Sequence, residues 1–162
     1  MDCLRFQDPA ELSTRPVSKA DLNSRQMEKK PILFFDGVCG LCNRTVDFVL
    51  REDRDRKFLF APLQGETFKA FVKDHPEVST VDSAFVLSYT AQGEQLLMRS
   101  DAIFYILGQL PQFRWIAQIG HLVPRPIRDA VYRLIASTRY RVWGKRDSCR
   151  LPTLEEEQRF LP

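Results

Sequence analysis

The sequence predicts an α/β fold in which strands and helices follow in the order β-α-β-α-β-β-α, with further helices after that core. Three observations carry the prediction. Short continuous apolar runs alternate with segments of helical periodicity. A glycine-centred turn joins two strand-like segments into a hairpin. Two cysteines, Cys39 and Cys42, fall where the first apolar run hands over to the first helical segment.

Residues 1–30 are polar, with scattered charges and no sustained period, and are expected to form a disordered extension. Pro31 starts the ordered part. Ile32-Leu33-Phe34-Phe35 is a continuous apolar run that suits a strand buried on both faces. From Cys42 the apolar positions Val46, Val49 and Leu50 share one helix face, which ends near Asp53. Phe58-Leu59-Phe60-Ala61 reads as a second strand, ended by Pro62. Thr67 to Asp74 reads as a short helix with Phe68, Phe71 and Val72 on one side. Ser83 to Tyr89 is a third strand, and Glu94 to Met98 pairs back across the turn Ala91-Gln92-Gly93. Ser100 is placed to cap the next helix, whose apolar face is Ile103, Ile106, Leu107 and Leu110. A further helix is expected over Gln112 to Leu122, then a last one over Ile127 to Trp143. The last carries the stripe Ile127, Val131, Leu134, Ile135 and Thr138, with Gly144 as its stop. The order is that of the minimal thioredoxin-like core, the glutaredoxin type, with additional C-terminal helices. Residues 31–152 then make one domain and 153–162 a tail.

With 162 residues, 44% apolar and 28% charged, the chain has room for one core and the composition of a soluble globular protein. Four cysteines are too few for a disulfide-dense secreted scaffold. Met1-Asp2-Cys3-Leu4-Arg5 opens no apolar run long enough for a signal peptide, and no stretch approaches a membrane-spanning length. The cytoplasm is the expected compartment. The net charge of +3 is uneven: Pro111 to Arg150 holds nine Arg or Lys against two Asp, leaving the remainder at −4. No nucleic-acid motif accompanies this basic third. We therefore read it as a solvated helix face or as arginines holding internal carboxylates, and expect no nucleic-acid partner.

In a reducing compartment a CxxC is more often catalytic or metal-binding than structural. Unpaired backbone N–H groups and the helix dipole favour a thiolate at a helix start. Cys39 is therefore expected as an exposed nucleophile. Cys42, one turn on and in line with the apolar stripe, is expected as the buried resolving thiol. Asp36, three residues before Cys39, has two open readings. It accepts a proton from Cys42 through water, or it caps the helix. Zinc is the competing chemistry, but a structural site needs four ligands. Only Cys3, Cys149, His75 and His121 are left to complete one, and none forms a second pair with ligand spacing. A phosphotransfer reading of Phe34-Phe35-Asp36-Gly37 fails because Val38 stands where a second aspartate is needed. Trp115 to Val123 reads as a buried helix in preference to an interfacial membrane helix.

Asp36-Gly37-Val38-Cys39-Gly40-Leu41-Cys42-Asn43 resembles the D-G-x-C-x-x-C signature of the DCC family of thiol-disulfide oxidoreductases. Further positions look like family positions: Asp82-Ser83, Arg99-Ser100-Asp101-Ala102, Tyr132-Arg133-Leu134-Ile135-Ala136 and Arg139-Tyr140-Arg141. Gly144 and Cys149-Arg150-Leu151-Pro152 complete the set, so the resemblance spans about Pro31 to Pro152. It implies a thioredoxin-like fold and a redox pair at Cys39/Cys42, with no cofactor beyond that disulfide. The implied partners are a protein or small-molecule disulfide or thiol and a thiol reductant such as glutathione or thioredoxin. Thioredoxins place a cis-proline before the third strand. Here Val81-Asp82-Ser83 occupies that place, so Asp82 or Ser83 is expected to face the cysteines. Arg139, Arg141 and Cys149 are expected to pack back toward the Asp36–Cys42 loop. Cys149 is then a third redox thiol or a buried small residue. A non-catalytic binding module that keeps this fold is the alternative to an enzyme.

Overall fold

A computed structural model describes residues 30–81, 83–145 and 152–162. Asp82, Cys149 and the proposed disordered extension up to residue 29 lie outside the described residues. The strands are β1 (Ile32–Phe35), β2 (Leu59–Pro62), β3 (Phe85–Thr90) and β4 (Gly93–Met98). The helices are α1 (Gly40–Glu52), α2 (Glu66–Asp74), α3 (Arg99–Gln109), α4 (Arg114–Leu122) and α5 (Arg125–Trp143). The sheet runs β2-β1-β3-β4, with β1 parallel to β2 and the other two pairs antiparallel. This is the mixed four-stranded sheet of a thioredoxin-like fold.

Strand alternation sorts the core into two layers. Leu33 and Phe35 of β1 point to one face, where Val86 and Phe60 meet Val46 and Val49 of α1 and Ala102 and Ile106 of α3. Phe34 points to the other, among Ala61, Phe85 and Leu87, with Phe68, Phe71 and Val72 of α2 packed over them. The Phe34 ring lies 4.7 Å from that of Phe85 and 5.1 Å from that of Phe71, centroid to centroid. Two helices cover one face and one the other, and the β1–α1 junction follows the C-terminal end of β1.

Three expectations are corrected. Ser100 does not cap α3: the N-cap is Met98, two residues earlier, and the Ser100 hydroxyl donates to Asp129. The apolar stripe of α5 is not its packing face: Leu134 is 66% and Ile127 56% exposed. The helix instead turns inward the face that carries Arg128, Asp129 and Arg139. Arg125 and Arg128 reach Asp101 of α3 at 2.7 and 3.5 Å. Finally, the end of the chain is no loose tail. Phe160 bridges Phe60 in parallel, the Leu161 N–H donates to the Phe60 carbonyl at 2.8 Å, and Arg159 forms a buried ion pair with Asp53.

Candidate functional site

The site is built where β1 ends. Beyond Phe35 the chain turns through Asp36, Gly37 and Val38, and the Cys39 N–H donates to the Asp36 carbonyl at 3.2 Å. Cys39 is the N-cap of α1, at φ −81° and ψ 121°. Its sulfur accepts the backbone N–H of Cys42 at 3.4 Å, which satisfies one of the orphan donors of the first turn. Asn43, fully buried, staples the loop from behind: its Nδ2 donates to the carbonyls of Gly37 and Cys39 at 2.9 and 3.0 Å.

Asp36 does not cap the helix. Its Oδ1 accepts the Val38 N–H at 3.2 Å and Gln64 Nε2 at 2.9 Å, and its Oδ2 accepts the hydroxyl of Tyr140. Gln64 closes the circuit by accepting the Gly37 N–H at 3.0 Å. The carboxylate is thus a junction between the cysteine loop, the β2–α2 turn and α5. Two cations lie near the Tyr140 ring, Arg139 at 4.5 Å and Lys145 at 5.8 Å from its centroid. Arg139 Nη2 also donates to the Tyr140 hydroxyl at 3.1 Å. Burial, and after it the bond to Asp36, push the Tyr140 phenol up, so it serves as a neutral donor.

Cys39 is not exposed, contrary to the sequence expectation. It has no accessible surface, and Cys42 is 7% exposed. The cause is the segment leaving α5. Lys145 forms an antiparallel bridge with Cys39, and the Gly40 N–H donates to the Gly144 carbonyl at 3.2 Å. Backbone passes so close to Gly40 that a Cβ there would lie 2.1 Å from the Trp143 carbonyl oxygen. A positive φ of 77° at Gly144 turns the chain into this position. The two thiols are free. Burial, followed by the hydrogen bond and charge of Cys39, pushes the Cys42 thiol up from 9.0 to about 12.

Beside the loop lies a cavity of about 500 Å³, lined among others by Val81, Ser83, Arg99, Arg133, Arg139 and Tyr140. Arg139 is thus linked to Asp36 through the Tyr140 hydroxyl, while Ser83 lies on the cavity wall. Arg141 is exposed, and its side chain makes no hydrogen bond or ion pair among the described residues. No group of three or more His, Cys, Asp or Glu positioned to hold a metal occurs among the described residues. His75 pairs with Glu77, and His121 packs against Phe104. Among the described residues no helix is long and apolar enough to cross a membrane.

Sequence reading gave no place in the site to Gln64 or Lys145, and quoted Gly40, Asn43 and Tyr140 only as motif positions; the direct contact to Asp36 comes from Tyr140, with Arg139 bonded to its hydroxyl. Asn43 carried a usable signal, a polar residue facing inward one position after Cys42. Gln64 and Lys145 carried none, because their places depend on tertiary packing.

The sequence matches the family model described as DCC1-like thiol-disulfide oxidoreductase over residues 33–145. It is 33% identical to YuxK of Bacillus subtilis (strain 168), a protein named as uncharacterized, over 87% of this chain and 100% of that one. It is 34% identical to a DCC family protein of Arabidopsis thaliana named as chloroplastic, over 76% of this chain and 71% of that one. No solved structure gives a significant match.

Proposed function

The chain belongs to the DCC1-like thiol-disulfide oxidoreductase family, and from that premise we propose that it exchanges electrons with a disulfide substrate through Cys39 and Cys42. The observation that carries the reading is the division between the two sulfurs. Cys39 caps α1 with its sulfur on a helix N–H, a contact that a thiolate strengthens. Cys42 sits one turn deeper and is kept protonated, its thiol pushed up to about 12.

In the forward direction the Cys39 thiolate attacks one sulfur of the substrate. The substrate S–S bond breaks, one half leaves as a thiolate that takes up a proton, and Cys39 holds the other half as a mixed disulfide. Cys42 then gives up its proton and attacks the Cys39 sulfur, releasing the second half. Two electrons have moved, the substrate is a pair of thiols, and the protein carries a Cys39–Cys42 disulfide. A thiol reductant such as glutathione or thioredoxin restores the dithiol, so no further cofactor takes part. We place this cycle in a reducing compartment, the cytoplasm in our reading. Because Lys145 and the Trp143–Gly144 backbone cover Cys39, attack requires that segment to move aside. Asp36, with three donors on its carboxylate, acts as a positioning residue for the loop rather than as the proton acceptor.

The same burial favours a second reading, a binding module that kept the fold without the exchange. Trapping separates the two. Cys42→Ser protein incubated with glutathione disulfide is expected to gain one glutathione at Cys39, read by peptide mass. Cys39→Ser is expected to gain none at Cys42. No adduct at Cys39 in the first variant, or as much at Cys42 in the second, sinks the exchange reading.

A further inference from the structure

The cavity next to the cysteine loop has a chemistry of its own. Its wall carries three arginines that come from two separate elements: Arg99 opens α3, while Arg133 and Arg139 lie on α5. The described carboxylates nearby are already engaged. Asp36 takes Val38, Gln64 and Tyr140, Asp101 takes Arg125 and Arg128, and Asp129 takes the Ser100 hydroxyl. Arg99 and Arg133 are therefore the two guanidiniums of this wall with no carboxylate at ion-pair distance among the described residues. Arg99 is held at a φ of 53°, a left-handed conformation uncommon outside glycine. Such costly backbone concentrates at functional sites. The volume, about 500 Å³, falls within the range of small-ligand pockets.

We propose that this cavity binds a small thiol or disulfide that bears carboxylate groups, with Arg99 and Arg133 as its carboxylate-binding residues and Arg139 at the wall toward the cysteines. Guanidinium groups pair with carboxylates through two parallel charge-assisted hydrogen bonds, a geometry lysine does not match. The position suits delivery of a sulfur. Tyr140 is shared between the cavity wall and Asp36, and the Asp36 carbonyl accepts the Cys39 N–H. A ligand anchored by its carboxylates therefore lies against Tyr140, one hydrogen bond away from Asp36 at the start of the loop that carries Cys39. The assignment rests on the thiol-disulfide reading for its chemistry, and on the arginines alone for its binding.

Two measurements on the full chain keep those dependences apart. The first is calorimetric titration with S-methylglutathione, which keeps both carboxylates and cannot exchange. Saturable one-to-one binding that weakens with added salt is expected. Arg133 is exposed, so its replacement should not disturb folding; Arg133→Gln is expected to weaken binding about tenfold, and Arg133→Lys to recover part of it through charge alone. The second is reduction of 5,5′-dithiobis(2-nitrobenzoate), a dicarboxylate, against 2,2′-dithiodipyridine, which is neutral. The ratio of kcat/KM for the two is expected to fall about tenfold in Arg133→Gln. Absence of binding, or binding and ratio both indifferent to Arg133→Gln, overturns the site. Arginine-dependent binding with neither disulfide reduced supports the site and overturns the exchange chemistry instead.

Discussion

Gly40 has no room for a methyl group, because the Trp143 carbonyl oxygen and the Gly144 carbonyl close over its α-carbon. The obstacle is backbone, so relief requires the whole segment after α5 to shift. Gly40→Ala is expected to destabilise the protein by about 1–3 kcal/mol, the usual cost of overpacking. It is also expected to speed alkylation of Cys39 by iodoacetamide, since the same segment covers that sulfur. Unchanged alkylation alongside lost stability would refute the idea that this segment is what shields Cys39. Cys42 provides a second test at this scale. Its folded-state pKa is raised, from 9.0 to about 12, so the folded protein holds the proton where the unfolded chain has lost it. The stabilisation is complete below pH 9 and is lost as pH rises toward 12. Urea midpoints of the reduced protein should therefore fall as pH climbs above about 9, and fall more steeply than those of the Cys39–Cys42 disulfide form, which lacks the titrating thiol and keeps only the contribution of the raised Tyr89 and Tyr140 phenols.

Among the elements, α5 departs most from its pattern. Its apolar stripe predicts the buried face correctly only if hydrophobic burial decides, and here ion pairs and hydrogen bonds decide. Asp101 on α3 and Asp36 on the cysteine loop draw in Arg125, Arg128 and Tyr140, and the stripe is left outward. Periodicity records side-chain type along one helix and is blind to carboxylates waiting on another. β1 and α1 were legible for the converse reason: Ile32–Phe35 and Val46/Val49 are local signals that tertiary structure did not override. The cysteine pair and its place at the strand–helix junction were legible too, but the cover over Cys39 was not, because it arrives from more than a hundred residues away in the chain. The hold of α5 on the loop is testable through its main contact. Tyr140→Phe removes the hydroxyl while Asp36 keeps two other donors, so a loss of about 1 kcal/mol is expected. A double-mutant cycle with Asp36→Asn should give a coupling of about 0.5–3 kcal/mol, and additive effects would mean the two side chains do not act together.

At the scale of the whole molecule, the last residues complete the sheet rather than trail from it. β2 is an edge strand, and an open edge offers unpaired backbone groups to other chains. Phe160 and Leu161 lie along that edge, and the Pro162 carbonyl accepts the Thr67 N–H at the start of α2. Arg159 anchors the arrangement further. Its Nη2 meets Asp53 at the end of α1, its Nε donates to the Phe58 carbonyl at 3.3 Å, and its guanidinium sits 5.1 Å from the Phe60 ring. One buried pair thus ties the helix that carries the cysteines to the end of the chain. Removing one partner of such a pair costs about 3–5 kcal/mol because the other is left charged in the interior. Asp53 would not be left bare, since the Lys57 and Phe58 N–H groups each donate to it at 3.0 Å. Arg159→Met, which keeps much of the apolar stem, is therefore expected to cost about 3 kcal/mol, at the lower end of that range. The measurement is the urea midpoint of the reduced protein, paired with hydrogen exchange at Leu161 and Thr67. A midpoint within error of the unsubstituted protein, with both amides still protected, would mean that Phe160 and the edge pairing hold the segment without the ion pair.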